Sequence, residues 1–157
     1  MTFESHAGQA PMSLFPTSTS PFDDVWVSLD IETTGLSRDS DEIIEIGAVK
    51  FRGDETIDTF HTLVNPHRRL GSFVRRYTGI TQAEVDRAPP FSSAARELVP
   101  FLGSTPIVGH NVAFDLGFLA SQGLRLSNPK CDTWDLAFVL LTARQNLALP
   151  KLAASFG

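Results

Sequence analysis

Cysteine, tyrosine and positive charge are the scarce features of this chain. Its 157 residues include one cysteine, Cys131, so no intrachain disulfide can form. That predicts a reducing, cytoplasmic setting. No apolar run approaches the ~20 residues that span a bilayer, which predicts no membrane partner. The opening MTFESHAGQAPMSLFPTSTSP lacks the basic start and apolar core of a signal peptide. Thirteen basic residues against eighteen acidic ones leave a net charge of −5, which disfavours binding nucleic acid through a basic surface alone. It does not disfavour an enzyme that meets phosphates through bound metal ions. One tyrosine stands against twelve phenylalanines, which predicts an aromatic-rich core.

What is present suits one compact domain: 42% hydrophobic and 20% charged residues are an ordinary globular balance. Residues 1–22, rich in Ser, Thr and Pro, are expected to form a disordered arm or linker. Residues 23–157 are expected to form the domain. VWVSLDIET reads as a buried strand, followed by EIIEIGAVKF (Glu42 to Phe51) and ETIDTFHTLVNP (Glu55 to Pro66). Arg52-Gly53-Asp54 between the last two predicts an antiparallel hairpin.

After Pro66 the pattern turns helical. Thr81 and Glu84 have the form of a capping box. Phe91 to Ser104 predicts a helix capped by Ser92 or Ser93 and kinked or ended by Pro100. Thr105 to Asn111 predicts a short strand, and Val112 to Leu124 a helix capped by Asn111 with Gly123 near its end. CDTWDLAFVLLTAR predicts another helix, with Asp132 as its cap, then a break at Pro150 and the start of a last helix. Strands followed by helices alternating with a further strand imply an α/β domain with a mixed sheet covered by helices. The basic clusters PHRRL and VRRY are either solvated loop charge or contacts for a polyanion.

The stretch SLDIETTGL (Ser28 to Leu36) sets Asp30 and Glu32 two residues apart in an apolar run. On a strand both point the same way, with Cα atoms about 6–7 Å apart. Two carboxylates that close repel unless something neutralises them, and an all-oxygen donor set suits Mg²⁺ or Mn²⁺. The alternative is an exposed face or a frayed strand end. Val25, Val27, Leu29 and Ile31 around the pair favour a cleft at the end of a sheet. Thr33-Thr34-Gly35 adds hydroxyls, backbone N–H groups and a tight turn, all useful near a phosphate or sugar. In GHNVAFDLGFL (Gly109 to Leu119), Asn111 and Asp115 can share a helix face at i and i+4. Two readings of Asp115 stay open: a ligand, or a first-turn acid favoured by the helix dipole.

DIETTGL followed by GHNVAFDLGFL resembles the first two motifs of the DEDD 3′–5′ exonucleases, in the branch typified by the proofreading epsilon subunit of bacterial DNA polymerase III. EIIEIGAV, YTGIT (Tyr77 to Thr81) and CDTWDLA extend the similarity over about residues 24–157. The resemblance implies a ribonuclease H-like fold and two divalent ions, Mg²⁺ or Mn²⁺, about 3.5–4 Å apart, that serve hydrolysis of the terminal phosphodiester. It implies that Asp30 bridges both ions, Glu32 holds the nucleophile-side ion, and Asp115 supports the other directly or through water. It also implies that Thr33, Gly35, Leu36, Asn111 and Phe114 contact the terminal nucleotide, with Asn111 chiefly ordering its loop and His110 structural. The implied partners are a single-stranded 3′ end of DNA or RNA and a polymerase or helicase subunit or fused domain.

The family's third motif pairs a catalytic histidine with a fourth carboxylate, as H-x-x-x-x-D. Beyond Asp115 this sequence has only Asp132 and Asp135 as acids, and no histidine follows His110. The expectation is therefore a domain incomplete at its C-terminus, and a weak or inactive chain. A non-catalytic module of the same fold, gripping a 3′ end or a polymerase or helicase, is the rival reading.

Overall fold

A computed structural model describes residues 24–141 and 146–156; the expected arm at 1–22 lies outside the described residues. Three long strands come first: β1 (Val25–Thr33), β2 (Ile43–Arg52) and β3 (Glu55–Leu63). They pair antiparallel, and Gly53-Asp54 makes the two-residue turn between β2 and β3. Gly53 sits at φ 57, a conformation this turn needs and a side chain would resist. The expected hairpin is therefore present, although β3 stops at Leu63 rather than running to Pro66.

Three helices follow: α1 (Ser72–Thr78), α2 (Gln82–Val85) and α3 (Phe91–Leu102). They carry the chain to β4 (Ile107–Gly109), which pairs parallel with β1, and α4 (Val112–Ser121) then leads to β5 (Lys130–Asp132), parallel with β4. The five-stranded sheet has the order β3-β2-β1-β4-β5. Helices α5 (Thr133–Leu140) and α6 (Leu149–Phe156) complete the described chain. The mixed sheet with flanking helices matches the expected fold class.

Alternation along β1 buries Val27, Leu29 and Ile31 and turns Ser28 and Asp30 outward. The buried face meets Leu98 and Leu102 of α3 and Phe118 and Leu119 of α4. Each such fully buried side chain contributes roughly 1.5–3 kcal/mol. A second cluster, Ile44, Leu70, Val74, Ile80 and Val85, fastens α1 and α2 beside the start of β2. The core is aliphatic rather than aromatic-rich. Among the described residues Phe118 is the fully buried phenylalanine, while Phe60, Phe91, Phe101 and Phe114 pack around the margin of the core. Branched aliphatics fit the pleated surface between closely packed strands.

Several local expectations need correction. Helix α3 is capped in position by Pro90, without a side-chain cap bond, so Ser92 and Ser93 lie inside its first turn. Pro100 does not end it, because Leu98 and Leu102 on either side are fully buried and hold the last turn. Strand β4 is shorter than Thr105 to Asn111, since β1 supplies pairing partners only at Val27 and Ser28. Lys130–Asp132 is a strand, although Cys131-Asp132 reads as helix in sequence; three residues are too few to show a period, and pairing with β4 creates the strand. The expected last helix is present as α6, but it starts at Leu149, so Pro150 lies in its first turn, where its missing N–H costs nothing. The Thr81–Glu84 capping box and the Asp132 cap of α5 both form.

Candidate active site

Both acidic positions on β1 project from the same face of the strand, and cross-strand register sets Asp30 beside Gly47 and Glu32 beside Glu45. Asp115 arrives from the first turn of α4 and is 5% exposed. Its placement follows from the sheet. β4 ends at Gly109, so beyond Ser28 the β4-side edge of β1 loses its partner. The N–H of Ile31 falls on that uncovered edge and donates to Asp115 Oδ1 at 3.1 Å. The bond satisfies a backbone donor that would otherwise be buried unpaired and locks α4 against the strand between the two β1 carboxylates.

All three carboxylates line one cavity of about 790 Å³, together with Thr33, Gly35, Leu36, His110, Asn111 and Phe114. Every expected site residue is thus brought to one place. No Lys or Arg is among the described residues of its wall. Burial, then the charge of Glu45, pushes the Asp30 carboxyl above its usual range. Burial, then Asp30 and Glu45, does the same to Glu32. Asp115 is pushed up to about 7 by burial and then by Asp30, against the opposing backbone hydrogen bonds. Three acids with raised pKa values, with no Lys or Arg beside them among the described residues, form a strained electrostatic cluster that a divalent ion would relieve.

Among the described residues no three His, Cys, Asp or Glu side chains already converge as a complete ligand set. The donor chemistry nevertheless fits a hard cation: Asp30 and Glu32 offer oxygen only, and such ions keep water or substrate oxygens as their remaining ligands. Asp115 has committed Oδ1 to Ile31.

The loop after β1 is held by Asp41, which accepts from Thr34 Oγ1 at 3.0 Å and from the Ser37 N–H at 3.0 Å. Gly35 packs against that carboxylate so closely that a Cβ there would lie 2.7 Å from Asp41 Cγ. Thr33 donates its hydroxyl hydrogen to Gly35 O at 2.5 Å, which leaves its oxygen as an acceptor for a ligand. Leu36 is 84% exposed at the cavity mouth. Phe114 is fixed from behind by Phe118, with centroids 4.9 Å apart.

Asn111 occupies the cap position of α4 but does not cap with its side chain. Its backbone is left-handed, φ 61 and ψ 41, and its side chain makes no cap hydrogen bond. Its own N–H donates to Asp132 Oδ1 at 2.8 Å, and the same oxygen accepts from the Trp134 N–H. Asp132 therefore ties the starts of α4 and α5 together. The His110 ring is bonded through Nδ1 to Thr133 Oγ1 at 3.0 Å, a structural tie, yet His110 also forms part of the cavity wall.

Two groups escaped the sequence. Glu45, bonded to His61 at 2.6 Å, reaches the carboxylate pair only through the β1–β2 register. Phe73 and Tyr77 of α1 also line the cavity; their i, i+4 spacing around buried Val74 was the available signal.

Comparison with known proteins adds a second, independent line. Residues 27–157 match the family model RNase_T, described as an exonuclease. A DNA polymerase III of PolC type from Clostridium perfringens is 39% identical over 140 residues, covering 87% of this chain and 10% of that polymerase. The chain thus spans about a tenth of the length of the polymerases it matches. Exonuclease X, solved in complex with 5′ overhanging duplex DNA, superposes with a TM-score of 0.64 at 26% identity, covering 82% of this chain and 73% of that one. E. coli exonuclease I, solved with a dA16 oligonucleotide, shares the fold with a TM-score of 0.65 at 18% identity over 77% of this chain and 30% of that one. The sheet and its helices are accordingly ribonuclease H-like.

Proposed function

The chain belongs to the RNase_T exonuclease family, and from that premise we propose that it is a metal-dependent 3′–5′ exonuclease domain acting on the single-stranded 3′ end of DNA or RNA. One observation carries the reading: Asp30, Glu32 and Asp115, from a strand and a helix, meet in one cavity with raised pKa values and no Lys or Arg among the described residues of its wall. Asp30 and Glu32 would hold the ions, Mg²⁺ or Mn²⁺ by donor type, with Asp115 supporting them. The ions would supply an activated water and charge stabilisation at the scissile phosphate. Thr33, Gly35, Leu36, Asn111 and Phe114 position the terminal nucleotide: Leu36 and Phe114 pack on its base, and Thr33 accepts from its sugar. A polymerase partner or fused domain and a cytoplasmic location fit the polymerase relatives.

Among these 157 residues no H-x-x-x-x-D pair follows Asp115, so they supply by themselves no side chain of that type to take the proton from the attacking water. General-base assistance is worth about 10²–10⁴-fold, and turnover by these 157 residues is correspondingly weak. The rival reading is a non-catalytic module of the same fold that grips a 3′ end or a polymerase or helicase.

The test is digestion of a 5′-labelled single strand with Mn²⁺ or Mg²⁺ at high protein concentration. A slow ladder that starts at the 3′ end and disappears in Asp30→Asn supports the enzyme. Tight binding of 3′ ends without any ladder supports the gripping module. Internal cutting, or a ladder unchanged in Asp30→Asn, overturns both.

A further inference from the structure

The cavity has one wall that the carboxylates do not explain. Helix α1 is anchored by a single buried residue, Val74, within the cluster that includes Ile44 and Leu70. Phe73 and Tyr77, on an adjacent face of the same helix, are 67% and 76% exposed. Their rings lie nearly parallel, 13° apart with centroids at 5.8 Å, and both border the cavity. Two large aromatics left in water contribute little to holding α1 in place, so packing alone does not account for them.

The charge around them is also local. Residues 64–83 hold four arginines, Arg68, Arg69, Arg75 and Arg76, and no Asp or Glu, in a chain whose net charge is −5. Arg68 bonds to Ser40 O and lies 3.9 Å from Asp41. Among the described residues no carboxylate lies within ion-pairing distance of Arg69, Arg75 or Arg76. Arg76 follows Phe73 by three residues and so flanks the aromatic face. Flat aromatic surface beside unpaired arginine is the combination that holds a single strand without reading its bases.

We infer that the Phe73–Tyr77 pair is a stacking platform for the bases upstream of the terminal nucleotide, with the α1 arginines meeting the backbone between them. The inference rests on the proposed 3′-end site and extends it. The ligand is an unpaired strand longer than one nucleotide, held regardless of base identity. A base-paired end cannot use the platform, because its bases already stack on their neighbours within the duplex.

The experiment is fluorescence anisotropy of a 5′-fluorescein oligothymidylate with Ca²⁺, using wild type, Leu36→Ala, Tyr77→Phe and the double variant Phe73→Ala/Tyr77→Ala. Circular dichroism and the melting midpoint of the double variant should match wild type, since Val74 remains. The double variant should bind roughly 10–100-fold more weakly, as expected for losing one or two stacked bases, while Tyr77→Phe binds normally. An abasic residue at the penultimate position should weaken wild-type binding by a similar factor and have no further effect in the double variant. Thymidine monophosphate, followed by saturation-transfer NMR, should bind wild type and double variant equally.

Double-variant affinity equal to wild type, or an abasic penalty equal in both proteins, overturns the platform. If Leu36→Ala weakens binding while the double variant does not, the terminal-nucleotide site stands and only the platform falls. Failure of wild type to bind the oligomer overturns both.

Discussion

Replacing Asp115 by asparagine should stabilise the metal-free protein above neutral pH while abolishing its function. Asp115 is 5% exposed, and its pKa is pushed from 3.8 up to about 7. In the unfolded chain its proton leaves near pH 4, whereas the folded protein keeps it to about pH 7. Between those values the folded state binds more protons, so stability falls as pH rises. The penalty is absent below about pH 4 and complete above about pH 7. Three pKa units at 1.36 kcal/mol each make it on the order of 4 kcal/mol. Asparagine removes that penalty and keeps an acceptor for the Ile31 N–H, but its amide N–H groups need new partners, an offset of about 1–3 kcal/mol. The net gain at pH 8 is about 1–3 kcal/mol, a rise in melting midpoint of about 3–9 °C. At pH 4.5 the variant should be no more stable than wild type. Thermal and urea unfolding of both proteins in EDTA from pH 4.5 to 8.5 measures the difference, in which the other titrations largely cancel. A difference independent of pH, or one that turns against the variant as pH rises, refutes the reasoning.

Mg²⁺ or Mn²⁺ should raise the wild-type melting midpoint at pH 8, by about 2.7 kcal/mol of stability when the ion is at a hundred times its Kd. The shift should vanish in Asp30→Asn/Glu32→Gln, and a shift retained there would place the ion elsewhere. Glu45→Gln should lower the pKa values of Asp30 and Glu32, because its charge raises both; carboxyl NMR titration reads this, and unchanged values would remove Glu45 from the site. Gly35→Ala should cost about 1–3 kcal/mol in urea unfolding, because the new Cβ meets the Asp41 carboxylate that holds the Thr34 hydroxyl and the Ser37 N–H. A loss below about 0.5 kcal/mol would mean the loop yields freely.

The sequence by itself determined the three long strands, the Gly53-Asp54 hairpin, the Thr81–Glu84 capping box and the carboxylates to watch. Each is a local matter: a period of two, a turn residue, a reciprocal cap, a charge pair in an apolar run. Tertiary structure decided the rest. Lys130–Asp132 is a strand only because β4 lies beside it. Asn111 fails as a side-chain cap because its backbone is drawn into the left-handed region, where its N–H meets Asp132 from the start of α5. Asp115 could be a ligand or a dipole-favoured acid in sequence; the edge left bare where β4 ends brings it to Ile31 and so to Asp30. Glu45, Phe73 and Tyr77 entered the site through strand register and helix docking, which depend on contacts between residues far apart along the chain. Local pattern supplies the chemical groups, and long-range packing decides which of them share a cavity.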